Sequence, residues 1–425
     1  MSQRELAIGI DFGGTSVKFG VCDGAEIIAT AEPIDTLAYY DRGPDALIEA
    51  ITAHVNALQQ SHPQVCAVGA GVPGLVDFER GHIFEITNVP GWVEIPFRDR
   101  LTAATGLPAT VDNDANCMAF AESRLGAGQG YSNLIAITLG TGVGGGLIIG
   151  GQLHRGAQFC AGEIGETSID YNRPLDDRGM PGVIEKFVGN REIASHARNL
   201  YEAAGIRKTE TECTPKALAE AGDEIASQVW HDVANWLGVA LGNVVWLLNP
   251  EAIVIGGGVA NAGAVLFDPL RRRLDEVLSP VLAKNIQLIP ARFGSEAGIV
   301  GAAYQAIRAG RPTSIAVRPV PDFDAANLAS WEAKLGPRPD QRPDRQVPIM
   351  VASIERQDVT EIQLEIIEHW RSVIPVEFDG ETFWAAAVGY RTQSMFGELQ
   401  TEAHALMLDG EVVRWVYSGS GEPVP

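Results

Sequence analysis

The residues best suited to chemistry in this sequence are carboxylates and glycines. Asp112-Asn113-Asp114-Ala115-Asn116 follows a short strand pattern at 109–111 and opens a helix running through Glu122. Moving a phosphoryl group onto an alcohol takes a carboxylate to accept the hydroxyl proton, plus hydrogen-bonding groups that fix the alcohol. Asp114 suits the base and Asn113 the neighbouring anchor. Helix N-capping by Asp112 or Asn113 is the competing use of these residue types, and the two uses are compatible.

Three glycine turns accompany that pair. Asp11-Phe12-Gly13-Gly14-Thr15 sits between two strand patterns, where a turn without Cβ atoms lets backbone N–H groups approach phosphate oxygens and Thr15 adds a hydroxyl. Asp11, ending its strand, is placed to hold Mg²⁺ directly or through water. A plain hairpin turn explains this motif alone equally well. The run from Gly140 through Thr141, Gly142, Val143, Gly144 and Gly145 to Gly146 repeats the arrangement. No GKS or GKT follows, so it is not a Walker A loop; the glycines lead into a strand, so it is not a dinucleotide fingerprint. Gly256-Gly257-Gly258 ends a buried strand at 252–255, opens a helix and suits close approach to an adenosine. Together the turns predict two lobes closing on one nucleotide. Glu163, Glu166 and Glu185 supply acceptors for a hydroxyl-rich ligand, although solvated surface glutamates are commoner.

The elements that must hold these residues alternate. Strand patterns at 6–10, 16–21, 26–30 and 65–71 surround a helical pattern at 45–60. A strand–turn–strand unit follows from 134, then helical patterns at 190–205, 214–248 and 295–309. That alternation predicts a mixed α/β layer structure. Residues 311–348 carry seven prolines and little periodicity, which reads as linker. Beyond it, a helix at 359–371 and strands at 382–391 and 411–417 predict a small α+β domain over 349–425.

Composition narrows the function. The chain has 425 residues, and Asp+Glu 54 against Lys+Arg 32 gives a net charge of −22. Such a surface repels phosphate backbones and anionic lipid, so neither nucleic acid nor membrane is expected as a partner. The 5 cysteines form no CxxC pair and predict a reducing compartment. No leader pattern opens the sequence and no apolar run reaches the ~18 residues of a membrane helix, so a cytoplasmic location is expected.

These motifs together resemble the ROK family of sugar kinases and sugar-responsive repressors over residues 5–310. The matching pieces are IGIDFGGTSVKFGV, GAGVPGLVD, TNVPGW, VDNDANCMAFAE, LGTGVGGGLIIGGQLHRG, GEIGE and IVIGGGVA. The resemblance implies a two-lobed actin-like (ribonuclease H-like) ATPase fold with a cleft. The small lobe would take 1–118 plus 295–310, the large lobe 119–294. It implies ATP and Mg²⁺ as cofactors and phosphorylation of a hexose at its 6-hydroxyl, with glucose foremost. Glucosamine, fructose and N-acetylmannosamine are the alternative sugars, and a non-catalytic sensor acting through the C-terminal domain is the alternative class. It makes Asp114 the base and Gly74, Asn88, Asn113, Glu163 and Glu185 sugar contacts, with Glu166 reaching the C1/C2 side. Gly13, Gly14, Thr15 and Lys18 would meet the phosphates from one lobe and Gly140 to Gly145 from the other. A homodimer or tetramer is implied too. The repressors' helix-turn-helix is not expected, because only 5 residues precede the first strand pattern.

The sequence departs from the family where members carry a zinc-binding His and three Cys. Those positions hold Glu166, Asp176, Arg178 and Val183, with no imidazole or thiolate, so no zinc is expected. An Asp176–Arg178 pair could brace the loop instead. Exchanging His for a carboxylate puts a group that only accepts hydrogen bonds where an imidazole can donate or accept, which suits a hydroxyl pair or the ammonium of an amino sugar.

Overall fold

Aliphatic residues fill strand Leu6–Phe12 (β1), which is buried along almost its whole length. It turns at Gly13-Gly14-Thr15 and returns antiparallel as Ser16–Asp23 (β2). Glu26–Asp35 (β3) extends the hairpin with alternating burial, one face inward. Helix Gly43–Ser61 (α1) then lays Leu47, Ile48, Ile51, Val55 and Leu58 along one buried stripe. Each such side chain contributes ~1.5–3 kcal/mol by leaving water, before ordering entropy is charged against it. Strand Val65–Val72 (β4) pairs parallel to β1.

The structure, a computed structural model, describes residues 6–86, 89, 91–176, 179–310, 318–320, 323, 327–359, 361–378, 381–394, 397–417 and 424. They divide into a unit ending at Arg308 and a second beginning at Ala309. In the first unit a small antiparallel sheet, Leu75–Asp77 (β5), His82–Glu85 (β6) and Val93–Ile95 (β7), precedes helix Phe97–Thr105 (α2). Strand Ala109–Asn113 (β8) completes the first main sheet in the order β3-β2-β1-β4-β8 and leads directly into helix Asp114–Leu125 (α3).

The next strands repeat this plan. Leu134–Leu139 (β9), Val143–Ile149 (β10), Gln152–His154 (β11), Ala252–Gly256 (β12) and Gln287–Pro290 (β13) form a second sheet in the order β11-β10-β9-β12-β13. Each sheet is an antiparallel hairpin flanked by one more strand on one side and two parallel strands on the other. The repeat is the two-lobed plan the motifs implied. Helices Glu185–Val188 (α4), Asn190–Ala203 (α5), Pro215–Ala221 (α6), Glu224–Leu248 (α7), Ala264–Val277 (α8) and Pro280–Asn285 (α9) belong to the second lobe. The helix expected over 214–248 is therefore two, parted at Gly222, whose φ of 67° ends α6. Gly258 opens a 3₁₀ turn over Val259–Ala262 in place of the expected helix.

Helix α3 lies between the two sheets, so a lobe boundary at 118 falls inside a continuous helix. Glycines permit its close approach. A Cβ on Gly144 or Gly146 of β10 would press on Ala115 or Ala119, and one on Gly301 would overlap the Cys117 carbonyl. Gly301 belongs to helix Ala297–Gly310 (α10), which shares a core with Ala7, Cys22 and Ala67 of the first sheet.

The second unit is an antiparallel sheet with Arg318–Pro319 (β14), Ile367–Trp370 (β15), Ile374–Phe378 (β16), Glu381–Ser394 (β17), Gly397–Leu408 (β18) and Glu411–Tyr417 (β19). The helix expected over 359–371 is absent from the described residues of that stretch. Val359, Ile362, Ile366 and Trp370 have helical spacing, but Ile367 pairs with Tyr390 and Trp370 with Val388 as an edge strand. The stretch read as linker, 311–348, contributes Leu328–Leu335 (α11), and its Leu335 and Val347 are buried beside Trp384 and Met407. Helix Pro348–Glu355 (α12) adds Met350 and Ile354 to the same core. The described residues of this stretch, from Arg318 onward, are part of the second unit and do not serve as a connection.

Candidate active site

Asn113 ends β8 and caps α3: its Oδ1 accepts the N–H groups of Ala115 and Asn116 at 2.9 and 3.1 Å. Its Nδ2 donates to the Gly74 carbonyl at 3.1 Å, so capping and a link to the Gly74 turn use one side chain. Gly74 is held at φ 99°, and a Cβ there would overlap the Glu85 carbonyl. The first helical residue is Asp114, half-buried, with Oδ1 accepting the Ala115 N–H at 2.8 Å.

Burial pushes the Asp114 carboxyl up from 3.8 to about 7, and the charges of Asp11 and then Glu163 add to the rise. Asp11 is itself raised by burial, against the opposing pull of Lys18, whose Nζ stands 3.7 Å from its Oδ2. Glu163 is raised by burial, then by Glu166, then by Glu185. The carboxylates singled out in the sequence thus share one field, from Asp11 through Asp114 to the three glutamates.

The glycine turns frame that field. The Gly13 N–H donates to the Ser16 carbonyl at 2.8 Å, while Thr36 Oγ1 and the Tyr40 hydroxyl donate to the carbonyls of Gly13 and Gly14 at 3.0 and 2.9 Å. In the second turn the Asn190 N–H donates to the Gly140 carbonyl at 2.9 Å, and the Val143 N–H donates to Glu185 Oε2 at 3.1 Å. Gly257, at φ 85°, lies so close to Leu139 that a Cβ would overlap its backbone. A cavity of about 480 Å³ takes in Asp11, Lys18, Asp114, Gly257 and Gly258. Gly13, Gly14, Thr15, the 140–146 turn, Gly256 and, of the sugar-contact candidates, Gly74, Asn113, Glu163, Glu166 and Glu185 lie outside its lining. Asn88 lies outside the described residues.

The sequence reading missed the rest of that cavity wall: Met118, Thr138, Asn261 and the segment Arg292 to Gly298. Gly294-Ser295 ahead of an apolar helix was the available signal. It read Asp112 only as a capping candidate and missed its ion pair with Arg155, beside the Asn113 cap.

Of the four positions where zinc ligands would stand, Val183 is buried and apolar. Asp176 serves a turn, its Oδ1 accepting the Met180 N–H at 2.8 Å. Arg178 lies outside the described residues, so the expected Asp176–Arg178 pair does too. Among the described residues no group of three or more His, Cys, Asp or Glu could hold a metal ion, and no helix is long and apolar enough to cross a membrane.

The family model described as ROK family matches residues 7–309. A glucokinase from Streptomyces coelicolor is 32% identical over 311 residues, spanning 70% of this chain and 96% of that protein. An N-acetyl-D-glucosamine kinase from Salmonella typhimurium is 31% identical over 308 residues, spanning 70% and 97%. The crystal structure of a ROK family glucokinase from Streptomyces griseus, in complex with glucose and AMPPNP, has a TM-score of 0.62 and 32% identity over 71% of this chain and 99% of that one. The chain belongs to the ROK family, as one of its sugar kinases.

Proposed function

We propose that the chain transfers the γ-phosphoryl group of ATP to the 6-hydroxyl of a hexose, with glucose the preferred sugar. The observation that carries this reading is the Asp114 carboxyl, raised to about 7 beside an aspartate-lined cavity at the head of a helix capped by Asn113. A base whose pKa lies near working pH is ionised often enough to act and still holds a proton well. The sugar O6 attacks the γ-phosphorus, the O6–P bond forms as the bond to the β-phosphate oxygen breaks, and ADP leaves. The O6 proton passes to the Asp114 carboxylate.

Glu163, Glu166 and Glu185 accept sugar hydroxyls, and Asn113 and Gly74, already bonded to each other, fix the far side. Asp11, with a hard oxygen donor on the cavity wall, would hold Mg²⁺, usually retained by one or two carboxylates plus substrate phosphates. When bound, Mg²⁺ neutralises charge on the phosphates. Lys18 and the backbone of the 13–15 and 140–145 turns orient the phosphate chain. The glucokinase relatives support both the sugar and the donor.

A second reading has a specific basis: Glu166 and Glu185 both press on Glu163, and such a carboxylate group suits a cationic ligand, which makes glucosamine the competing substrate. Comparing kcat/KM for glucose, glucosamine and their N-acetylated forms tests both. Glucose ahead supports the first reading and glucosamine ahead the second. A preference for N-acetylated sugars over both contradicts the pair.

A further inference from the structure

Asp112 is 1% exposed and carries four hydrogen bonds on its two oxygens. Oδ1 accepts the Asn113 N–H at 2.9 Å and Asn116 Nδ2 at 3.1 Å. Oδ2 accepts Arg155 Nε at 3.1 Å and Nη2 at 2.7 Å. The guanidinium carbon of Arg155 sits 3.6 Å from the centroid of the Phe78 ring, which closes the other side of the pair.

The two charges come from different lobes. Asp112 stands on β8, in register with Gly71 of β4, whereas Arg155 follows the last residue of β11. Arg155 also opens the segment 155–166 that carries Glu163 and Glu166. Its carbonyl accepts the Ala161 N–H at 3.0 Å, so the segment folds back on the arginine just before Glu163. One buried carboxylate therefore holds the cap of the base-bearing helix and, through Arg155, the origin of the loop bearing the sugar-side acids.

We propose that Arg155 is a positioning residue for phosphoryl transfer: its grip on Asp112 sets the Glu163 loop at the distance from Asp114 that brings the sugar hydroxyl within reach of the base. This rests on the reading of Asp114 as base and Glu163 as sugar contact. The pair does not merely join the lobes. Glycine-mediated packing of α3 against β10 and α10 already does that. The nucleotide end has its own ties: Glu122 Oε1 accepts the Phe293 N–H at 2.9 Å, and Arg292 Nη1 donates to the Leu125 carbonyl at 2.7 Å. Loss of Arg155 should therefore be felt at the sugar and not at the nucleotide.

The test uses the full chain with Arg155→Met, Arg155→Lys and the double variant Asp112→Asn/Arg155→Met. The double variant removes the unpaired buried charge that a single change leaves, the usual source of collapse at such pairs. Turnover of the native chain is measured first and carries the kinase reading; the ratio of variant to native carries this proposal. Arg155→Met is expected to lower kcat/KM for the sugar by about 10- to 100-fold, with KM for ATP within about twofold, since small misplacements of reacting groups are that costly. Arg155→Lys should fall between. The double variant should regain melting temperature while keeping the kinetic defect. Recovery of rate together with melting temperature, an equal rise in both KM values, or native kinetics in Arg155→Met would each overturn the proposal.

Discussion

The Glu185 carboxylate accepts the backbone N–H of Val143 at 3.1 Å, which suspends an acid of the proposed sugar site from the second glycine turn. The turn and the acid are built around each other: a Cβ on Gly142 would overlap Glu185 Oε2. Any shift of this turn is thereby transmitted to Glu185, which the proposed function sets against the sugar.

Gly142→Ala should therefore displace Glu185. Its expected effect is a fall in sugar kcat/KM of about 10-fold, the scale of one misplaced hydrogen-bonding group. Steady-state kinetics with the sugar varied at saturating ATP checks this. Native kcat/KM would show that Glu185 keeps its place without the turn.

Burial, Asp11 and Glu163 hold the Asp114 carboxyl near 7, and a base must be ionised to accept a proton. The rate is expected to drop as pH falls through about 7, and Asp11→Asn, which removes a like charge, should move that limb to lower pH. For stability the sign is opposite. Folding raises this pKa above its unfolded value of 3.8, so the folded chain binds the proton more tightly. Its contribution to stability declines as pH rises from about 4 to about 7. Asp114→Asn should melt higher than the native chain at pH 8 while losing activity. A flat rate between pH 5.5 and 8, or a lower melting point for Asp114→Asn, would contradict the assignment.

A Cβ on Gly69 of β4 would overlap the Ala302 carbonyl of α10, and one on Gly9 of β1 would overlap that of Ile299. Helix and sheet meet there backbone to backbone, so neither side has a flexible atom to give way. Gly69→Ala is expected to cost ~1–3 kcal/mol or more as overpacking, read from denaturant midpoints. An unchanged midpoint would mean that α10 can slide along the sheet.

How far the sequence could be read follows from the kind of contact involved. The hairpin glycines, the cap at Asn113 and the repeated strand–turn–strand unit are local, and each is visible as spacing. The pairing of Asp112 with Arg155, 43 residues apart, has no local signature, nor does the approach of Arg292 to the Leu125 carbonyl across 167 residues. The error over 359–371 is of another type. Apolar residues at helical spacing also fit an edge strand when a long neighbour such as β17 offers its backbone. The prolines of 311–348 suggested a connection, yet Leu335 and Val347 between them are core residues of the second unit.

In the proposed reaction Asp114 accepts the sugar proton during transfer from ATP. The direct test is ADP release with ATP and Mg²⁺ over a panel of hexoses and amino sugars, for the native chain and Asp114→Asn, with sugar binding followed by tryptophan fluorescence. Turnover of one sugar by the native chain is expected, with a loss of about 10³-fold or more in the variant, which still binds that sugar. Sugar binding without ADP release in the native chain would contradict it and make the protein a sensor.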